Sequence, residues 1–505
     1  MKTFGLILLP LCILLYFGGC EQPINPVSEG NVAFSVDTVK FDSIFVNFQS
    51  PSERLTVYNR TNNDLEISRV WLEEGENSEY DLVVDGIRSN DVTDLVLAED
   101  DSMRVFITLN SQFRDEFSEE YLAVQVGDNI QRILIRAFIV DAYYFKARLN
   151  VDSLTISGYF FQQDTILTPE KPIVFDGPIV IPEGVRVSIE PGTEIFFTPY
   201  KVELDNGDGT STFVFFSTLL VNGTLRALGA PDIPITFQGT RLDEDFEENP
   251  AQWRGIVFSQ TSSDNFLQYA VVKNGLFGVE VDSVSNGRRP RLTMRYTEIR
   301  NMSAFGIIGQ GFSNQGIGSQ PALLMENCIV QNCGRTFAIS GGGNYEIYNC
   351  TFDNSRFFGR RDPQLFIQNY GVSQDGIRRY PMRVQFVNSI FWSNNAGFDA
   401  SEIALDFFNE EVLTTQELLF DHCALLYSEN SEIDLTPYLD STFVNVDPLF
   451  MAASIEPGDF RLQENSPMIN AGKDVSARYL LDFRGNPDTV RTLPYDIGAF
   501  EYIPQ

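Results

Sequence analysis

The sequence predicts an all-β protein in two parts, a β-sandwich followed by a parallel β-solenoid. Three observations carry this reading. Residues 34–142 alternate apolar and polar in short runs separated by turn residues. From about Ile173 the alternation gives way to a repeat in which a small residue returns every 22 to 39 positions. No stretch of that region shows helical periodicity, so each interval is read as one coil of a solenoid.

The first residues are an export signal. Lys2 supplies a positive start, and Phe4 to Phe17 form an apolar run too short to span a bilayer comfortably. It ends in Phe17-Gly18-Gly19-Cys20, which resembles the bacterial lipobox, although Phe17 stands where Leu is usual. That resemblance implies a signal peptide at 1–19 and a lipid on Cys20; ordinary signal cleavage near Gly19 is the alternative. Residues 20–33 read as a tether. Glu21 is the single acidic residue just after the cysteine, so the membrane face stays open.

Composition narrows the function. Apolar residues make up 43% and aromatics 13% of the chain, which argues for folded cores. The net charge of −33 argues against nucleic acid and anionic lipid as partners. Two of the six cysteines fall in the signal and at the lipidation position. The other four, Cys328, Cys333, Cys350 and Cys423, fit no zinc spacing. Cys328 and Cys350 share one repeat position, with a disulfide and simple packing both open. His422 is the only histidine, so any triad or His-based metal site has to rest on it.

Within 34–142, the runs Leu55-Thr56-Val57-Tyr58, Leu82-Val83-Val84, Met103-Arg104-Val105-Phe106-Ile107 and Ile133-Leu134-Ile135 alternate in strand fashion. Asn62-Asn63-Asp64 and Asp85-Gly86 punctuate them. About seven strands in this length fit a sandwich. LTVYNRTNNDLEISRVWLEEG and LAEDDSMRVFITL resemble immunoglobulin-like spacer and docking domains. Residues 143–172 are read as linker and solenoid entry.

The repeat in 173–440 aligns Tyr269-Ala270-Val271-Val272-Lys273-Asn274 with Tyr296-Thr297-Glu298-Ile299-Arg300-Asn301. Asn327-Cys328 through Asn332 and Asn349-Cys350 through Asn354 follow, and Asn388-Ser389 and His422-Cys423 open looser copies. Equivalent residues then stack at about 4.8 Å per coil. Small residues 270, 297, 328, 350, 389 and 423 fit a crowded inward position. Val272, Ile299, Val330, Phe352, Phe391 and Leu425 form an apolar column. Asn274, Asn301, Asn332 and Asn354 sit at a turn, where a stacked amide column bonds from coil to coil. These strings resemble right-handed parallel β-helix proteins of secreted bacterial type. FVNVDPLF, GDFRLQENSPMINAGKD and DFRGNPDTVRTLPYDIGAFEY resemble the choice-of-anchor Q region, which implies that 441–505 are the last coils and a cap over the end of the stack.

This fold hosts polysaccharide lyases and hydrolases, but fold alone does not assign chemistry. The Gly-His-Gly of the pectinase-type hydrolases does not occur in the sequence. His422 is read as a packing or solvated residue, so no catalytic residue is assigned. One segment stands out: Asn286 to Arg383 holds 12 arginines, no lysine and 6 acidic residues. Arg288, Arg289, Arg291, Arg356, Arg360, Arg361, Arg378, Arg379 and Arg383, with Tyr370 and Tyr380, are candidate contacts to an acidic glycan. Arginine binds carboxylate and sulfate through paired hydrogen bonds, and aromatic rings stack on sugars. The competing reading pairs these arginines with acidic neighbours.

Asp205-Asn206-Gly207-Asp208-Gly209-Thr210 has a calcium-loop look, but the ligand pattern is incomplete and a hairpin turn is preferred. No metal or cofactor is expected otherwise. Asp followed by Ser or Thr and an apolar residue or Thr resembles an O-glycosylation acceptor of exported Gram-negative proteins. It marks Thr38, Ser43, Ser102, Ser153, Thr165, Ser283, Ser441 and Thr489, where chance gives roughly two.

The sequence thus leads to an outer-membrane lipoprotein, non-catalytic, displaying a β-helix surface to an acidic glycan or an envelope protein. A polysaccharide lyase acting on uronate glycan and a structural stalk are the alternatives.

Overall fold

A computed structural model describes residues 26–46, 50–110, 117–150, 155–199, 201–205, 211–215, 217–243, 246–282, 284–285, 287–311, 316–356, 362–373, 376–394, 401–428, 434–475, 481–485 and 493–504. The chain divides into two units, Met1–Ile139 and Val140–Gln505. Cys20 and the signal lie outside the described residues.

The alternation in the first unit becomes two five-stranded sheets. One orders Val32–Phe34, Glu53–Asn59, Ser102–Leu109, Tyr80–Val84 and Ile87–Arg88; the other orders Thr38–Phe45, Asn129–Val140, Phe117–Val126, Leu65–Leu72 and Asp91–Leu97. Their assigned pairs run antiparallel. Leu55, Val57, Leu82, Val105 and Ile107 from one sheet share a fully buried core with Leu65, Ile67, Val124 and Ile135 from the other. This is how two half-apolar sheets remove their inner faces from water. Ten strands form where about seven are expected. Ile87–Arg88 is short and wholly exposed, so it has no apolar alternation to betray it.

In the second unit strands return in threes, each coil adding one rung to three parallel ladders. The first ladder stacks Thr165–Leu167, Arg186–Ile189, Thr224–Leu228, Asn265–Gln268, Leu292–Arg295, Leu323–Glu326, Gly343–Tyr348, Met382–Val387, Leu418–Asp421 and Leu439–Asp440. The second runs from Tyr143–Lys146 through Ala270–Lys273 to Phe443–Val444. The third runs from Tyr159–Phe160 through Phe277–Asp282 to Ile403–Asp406. Coils therefore begin at Tyr143, within the stretch read as linker and entry. Residues 201–205 and 211–215 pair as an antiparallel hairpin. Its turn, with most of the calcium-like string, lies outside the described residues.

The predicted columns are in register. Val272, Ile299, Val330, Phe352, Phe391 and Leu425 are successive partners, each with no exposed surface. The rings of Phe352 and Phe391 stack at 4.3 Å, those of Phe386 and Phe420 at 5.1 Å. At the corner leaving the second ladder, Asn332 Nδ2 donates to Asn301 Oδ1 (2.5 Å), and Asn301 Nδ2 donates to Glu248 (2.6 Å). Asn354 bonds both backbone groups of Cys333, at 2.9 and 2.7 Å.

The small residues do more than relieve crowding. Each follows a left-handed corner residue: Tyr296, Asn327, Asn349, Asn388, His422 and Ser441 have φ between 47° and 51°. Ala270 has no polar side-chain atom to offer, but from Thr297 to Thr442 each small side chain donates across that corner to the carbonyl two residues back. The bonds are Thr297 to Arg295 (2.9 Å), Cys328 to Glu326 (3.2 Å), Cys350 to Tyr348 (3.2 Å), Ser389 to Val387 (3.0 Å), Cys423 to Asp421 (3.5 Å) and Thr442 to Asp440 (3.0 Å). The same atoms accept from the coil before: Cys328 N–H to Cys350 Sγ (3.4 Å), Cys350 N–H to Ser389 Oγ (3.2 Å), Cys423 N–H to Thr442 Oγ1 (3.2 Å). Hydroxyl and thiol are the small groups able to donate and accept at once. Cys328, Cys333, Cys350 and Cys423 are free and buried.

Residues 450–501 depart from the expected cap. Their described residues lie along the side of the stack, against the outer face of the second ladder, where Phe450, Phe460, Leu462, Met468 and Ile497 cover Ile329, Ile390, Trp392 and Ala424. That face is apolar and has to be covered. The last described coil instead ends on Leu435, Tyr438 and Leu439, packed on the solenoid core. The terminal motif is a buried knot. Asp482 accepts the N–H groups of Arg484 (3.0 Å) and Glu501 (3.1 Å). Asp496 accepts those of Asn470 (2.7 Å) and Tyr502 (2.5 Å). Gly498 and Ala499 dock this knot on Asn388 and Thr351.

Candidate functional site

The candidate glycan-binding arginines divide between two corners of the solenoid and one ladder face. Arg288, Arg289 and Arg291 lie on the turn that enters the first ladder at Leu292. Arg378 and Arg379 enter the same ladder at Met382, from the hairpin Tyr370–Ser373 with Gly376–Arg379. Arg383 is on the ladder itself, beside Asn344. Arg356 belongs to the other corner, after the second ladder, and Arg360 and Arg361 fall outside the described residues. One continuous arginine groove therefore does not form among the described residues.

Most of these arginines are held by neighbours. Arg291 is buried and donates to the carbonyls of Ser259 (2.6 Å), Gln260 (2.6 Å), Ser262 (2.8 Å), Asp282 (3.1 Å) and Val284, which ties three loop segments together. Burial lowers its affinity for the proton, and Asp282 opposes that. Arg356 pairs with Glu456 of the flanking segment. Arg379 bridges Glu411 and Glu417, the second at 2.9 Å. Tyr370 donates its hydroxyl to Asp406 (2.7 Å), which raises its proton affinity. Tyr380 is half-buried, and its N–H donates to Asn369 (2.7 Å). Arg288 and Arg378 are exposed, and Arg383 is half-buried.

A different cluster gathers on the outer face of the first ladder. Strand alternation points Arg226, Phe266, Gln268 and Arg295 outward from consecutive coils. Arg226 lies over the Phe266 ring at 4.5 Å, and Arg295 stands 5.9 Å from the same ring. Asp264, just before this rung, binds Arg226 (3.0 Å) and Arg289 (2.9 Å), while buried Glu326 holds Arg295. The guanidinium-bearing side chains stay 25%, 63% and 37% exposed for Arg226, Arg289 and Arg295. Arg226, Asp264 and Phe266 precede the basic segment, so a charge count along the chain does not find them. The two-residue alternation and the coil register do.

His422 occupies a left-handed corner, and its Nδ1 meets Asp421 at 2.7 Å. Asp421 is buried and also takes the Lys473 ammonium. The histidine thus sits beside the Asp421–Lys473 ion pair that fastens the flanking segment. Among the acceptor-like residues Ser102 and Ser441 are exposed and Thr38, Ser43 and Thr165 are half-buried; Ser153, Ser283 and Thr489 lie outside the described residues. The described residues contain no group of three or more His, Cys, Asp or Glu able to hold a metal ion, and no described helix is long and apolar enough to cross a membrane.

No known protein family matches the chain, and no curated protein matches it. Among solved structures, the chain is similar to the E. coli chaperone DraB at 18% identity, over 22% of this chain and 54% of the chaperone, with a TM-score of 0.15. A family 123 glycoside hydrolase from Clostridium perfringens is similar at 6% identity, over 37% of this chain and 44% of the hydrolase, with a TM-score of 0.16. The chain thus spans about half the length of each, and neither likeness bears on its fold or activity.

Proposed function

We propose that the chain is a lipid-anchored outer-membrane protein that binds an acidic glycan without cleaving it. In this reading Cys20 carries the lipid, the first unit is an immunoglobulin-like spacer, and the solenoid is a right-handed β-helix ending in a choice-of-anchor Q region. The observation that carries the binding role is the exposed arginine cluster around Phe266, whose guanidinium groups are oriented by Asp264 and Glu326 yet keep open edges. Pre-oriented planar cations suit carboxylate and sulfate. Acceptor-like Ser and Thr at the surface are consistent with an exported, O-glycosylated protein.

The test uses the full-length lipoprotein in detergent, passed over immobilised polyuronate, sulfated glycan and neutral glycan. Retention on the two acidic supports is expected, weakening as salt rises, with no new ultraviolet absorbance from unsaturated uronate. Appearance of that absorbance would replace this reading with the lyase alternative. Equal passage over all three supports would leave a structural stalk or a protein-binding surface.

A further inference from the structure

We propose that the anionic groups of the glycan dock on the outer face of the first ladder, across the coils that carry Arg226, Phe266 and Arg295, with Arg288 and Arg289 at its edge. This deepens the glycan reading above and rests on it.

The face is built by register. Arg226 and Phe266 are direct partners in adjacent coils, and Gln268 of the second coil is the partner of Arg295 in the third. Arg226 and Arg295 are therefore two rungs apart along the axis, about 10 Å, and offset by two residues along the strand. The Phe266 ring between them separates the two cations and offers an apolar edge at the same level. Asp264 takes the side-chain tips of both Arg226 and Arg289, so one carboxylate orients two cations. Glu326 is 2% exposed on its side chain and reaches Arg295 from beneath. The cluster thus sets four arginines against two carboxylates, a local positive excess in a chain of net charge −33. Higher on the same face the balance reverses. Leu324, Tyr348 and Val387 form an apolar patch that packs with Val475 of the flanking segment.

A polyanion would gain from this arrangement in two ways. Its carboxylate or sulfate groups meet guanidinium edges already held in place, so less side-chain freedom is lost on binding. The spacing of the cations is set by the ladder rise and by the two-residue offset along the strand, so a chain with regularly spaced charges crosses the stack obliquely. A compact anion such as phosphate meets one arginine at a time and gains none of this spacing.

The experiment compares the full-length protein in detergent with two variants, Arg288→Gln with Arg289→Gln, and Arg226→Gln with Arg295→Gln. Arg378→Gln serves as a control at the same corner three coils farther along the stack. Binding of fluorescently labelled polyuronate and sulfated glycan is read by polarisation, with inorganic phosphate as competitor. Each double variant is expected to bind about tenfold more weakly, the control to match the parent, and phosphate to compete poorly. The Arg288 and Arg289 pair is at the surface and keeps the parent unfolding midpoint, so its weakening reports contact and not misfolding. Parent-like binding by both double variants would overturn this location while leaving the glycan reading standing. Absence of binding by the parent would remove both together.

Discussion

On the outer face of the second ladder, Arg300 is 12% exposed and lies among three carboxylates from three segments: Glu298 of its own strand (3.1 Å), Glu248 of a long loop (3.4 Å) and Glu456 of the flank (3.3 Å). At the edge of the first ladder's outer face, Arg289 is 63% exposed and pairs with Asp264. Both are arginine–carboxylate contacts on the outside of one solenoid. The difference is what covers them. Lys273 also binds Glu248 (2.6 Å), and the 450–501 segment closes over this region. Arg300 and Glu298 are each 12% exposed there, and the ions are held by one another and by the amides of Asn301 and Gln331. A paired buried ion is a fastening, and a paired exposed ion is a contact that a ligand can share.

The sharpest way to break this comparison is to remove each arginine. Arg300→Met leaves Glu298 without its cation and removes one of the two cations from Glu248, which keeps Lys273, and from Glu456, which keeps Arg356. A loss of about 3–5 kcal/mol is expected in denaturant unfolding, without change in glycan affinity. A loss under about 1 kcal/mol would mean the site is wet and the distinction false.

Acid supplies an intermediate test. Burial pushes the Glu248 carboxyl up, but Arg300 and Lys273 outweigh it and hold it below its ordinary value. A depressed carboxyl contributes stability that is whole above its unfolded value, near 4.3, and is lost as the pH falls through the lower folded value. The unfolding midpoint should therefore fall as the pH drops below about 4.3, with part of that slope missing in Arg300→Met. An identical slope in parent and variant would detach Glu248 from the clamp.

The smallest effect belongs to the open face. Arg289→Gln should change unfolding stability by no more than about 1 kcal/mol. A larger loss would place Arg289 among the fastenings and weaken the docking face.

Much of the solenoid was legible because it repeats. The Val272-to-Leu425 column and the Asn301–Asn332 contact follow from aligned strings, since equal spacing along the chain becomes stacking in space. The flank at 450–501 was not legible in this way. Its place is set by an apolar outer face at Ile329, Ile390 and Ala424, and those residues look like ordinary strand residues in the sequence. The small column was found but understood only as size. Thr, Cys and Ser share volume, and their common hydrogen-bonding role appears once the left-handed corner is seen. Of the candidate site, Arg288 and Arg289 were found by counting charge, while Arg226 and Phe266 needed the coil register. The same count also gathered Arg291 and Arg379, because charge along a chain carries no information about which carboxylates the fold delivers.

The column from Thr297 to Thr442 has a consequence for how such a chain changes length. Six links give a hydrogen to a carbonyl of their own coil, and Cys350, Ser389 and Thr442 also receive one from the coil before. Cutting out one whole coil would bring together two ends with matching donors and acceptors, whereas deleting part of one would strand an amide. The unit that insertion and deletion can act on is then the full turn, with its loops free to vary, and the observed intervals of 19 to 39 residues fit that freedom.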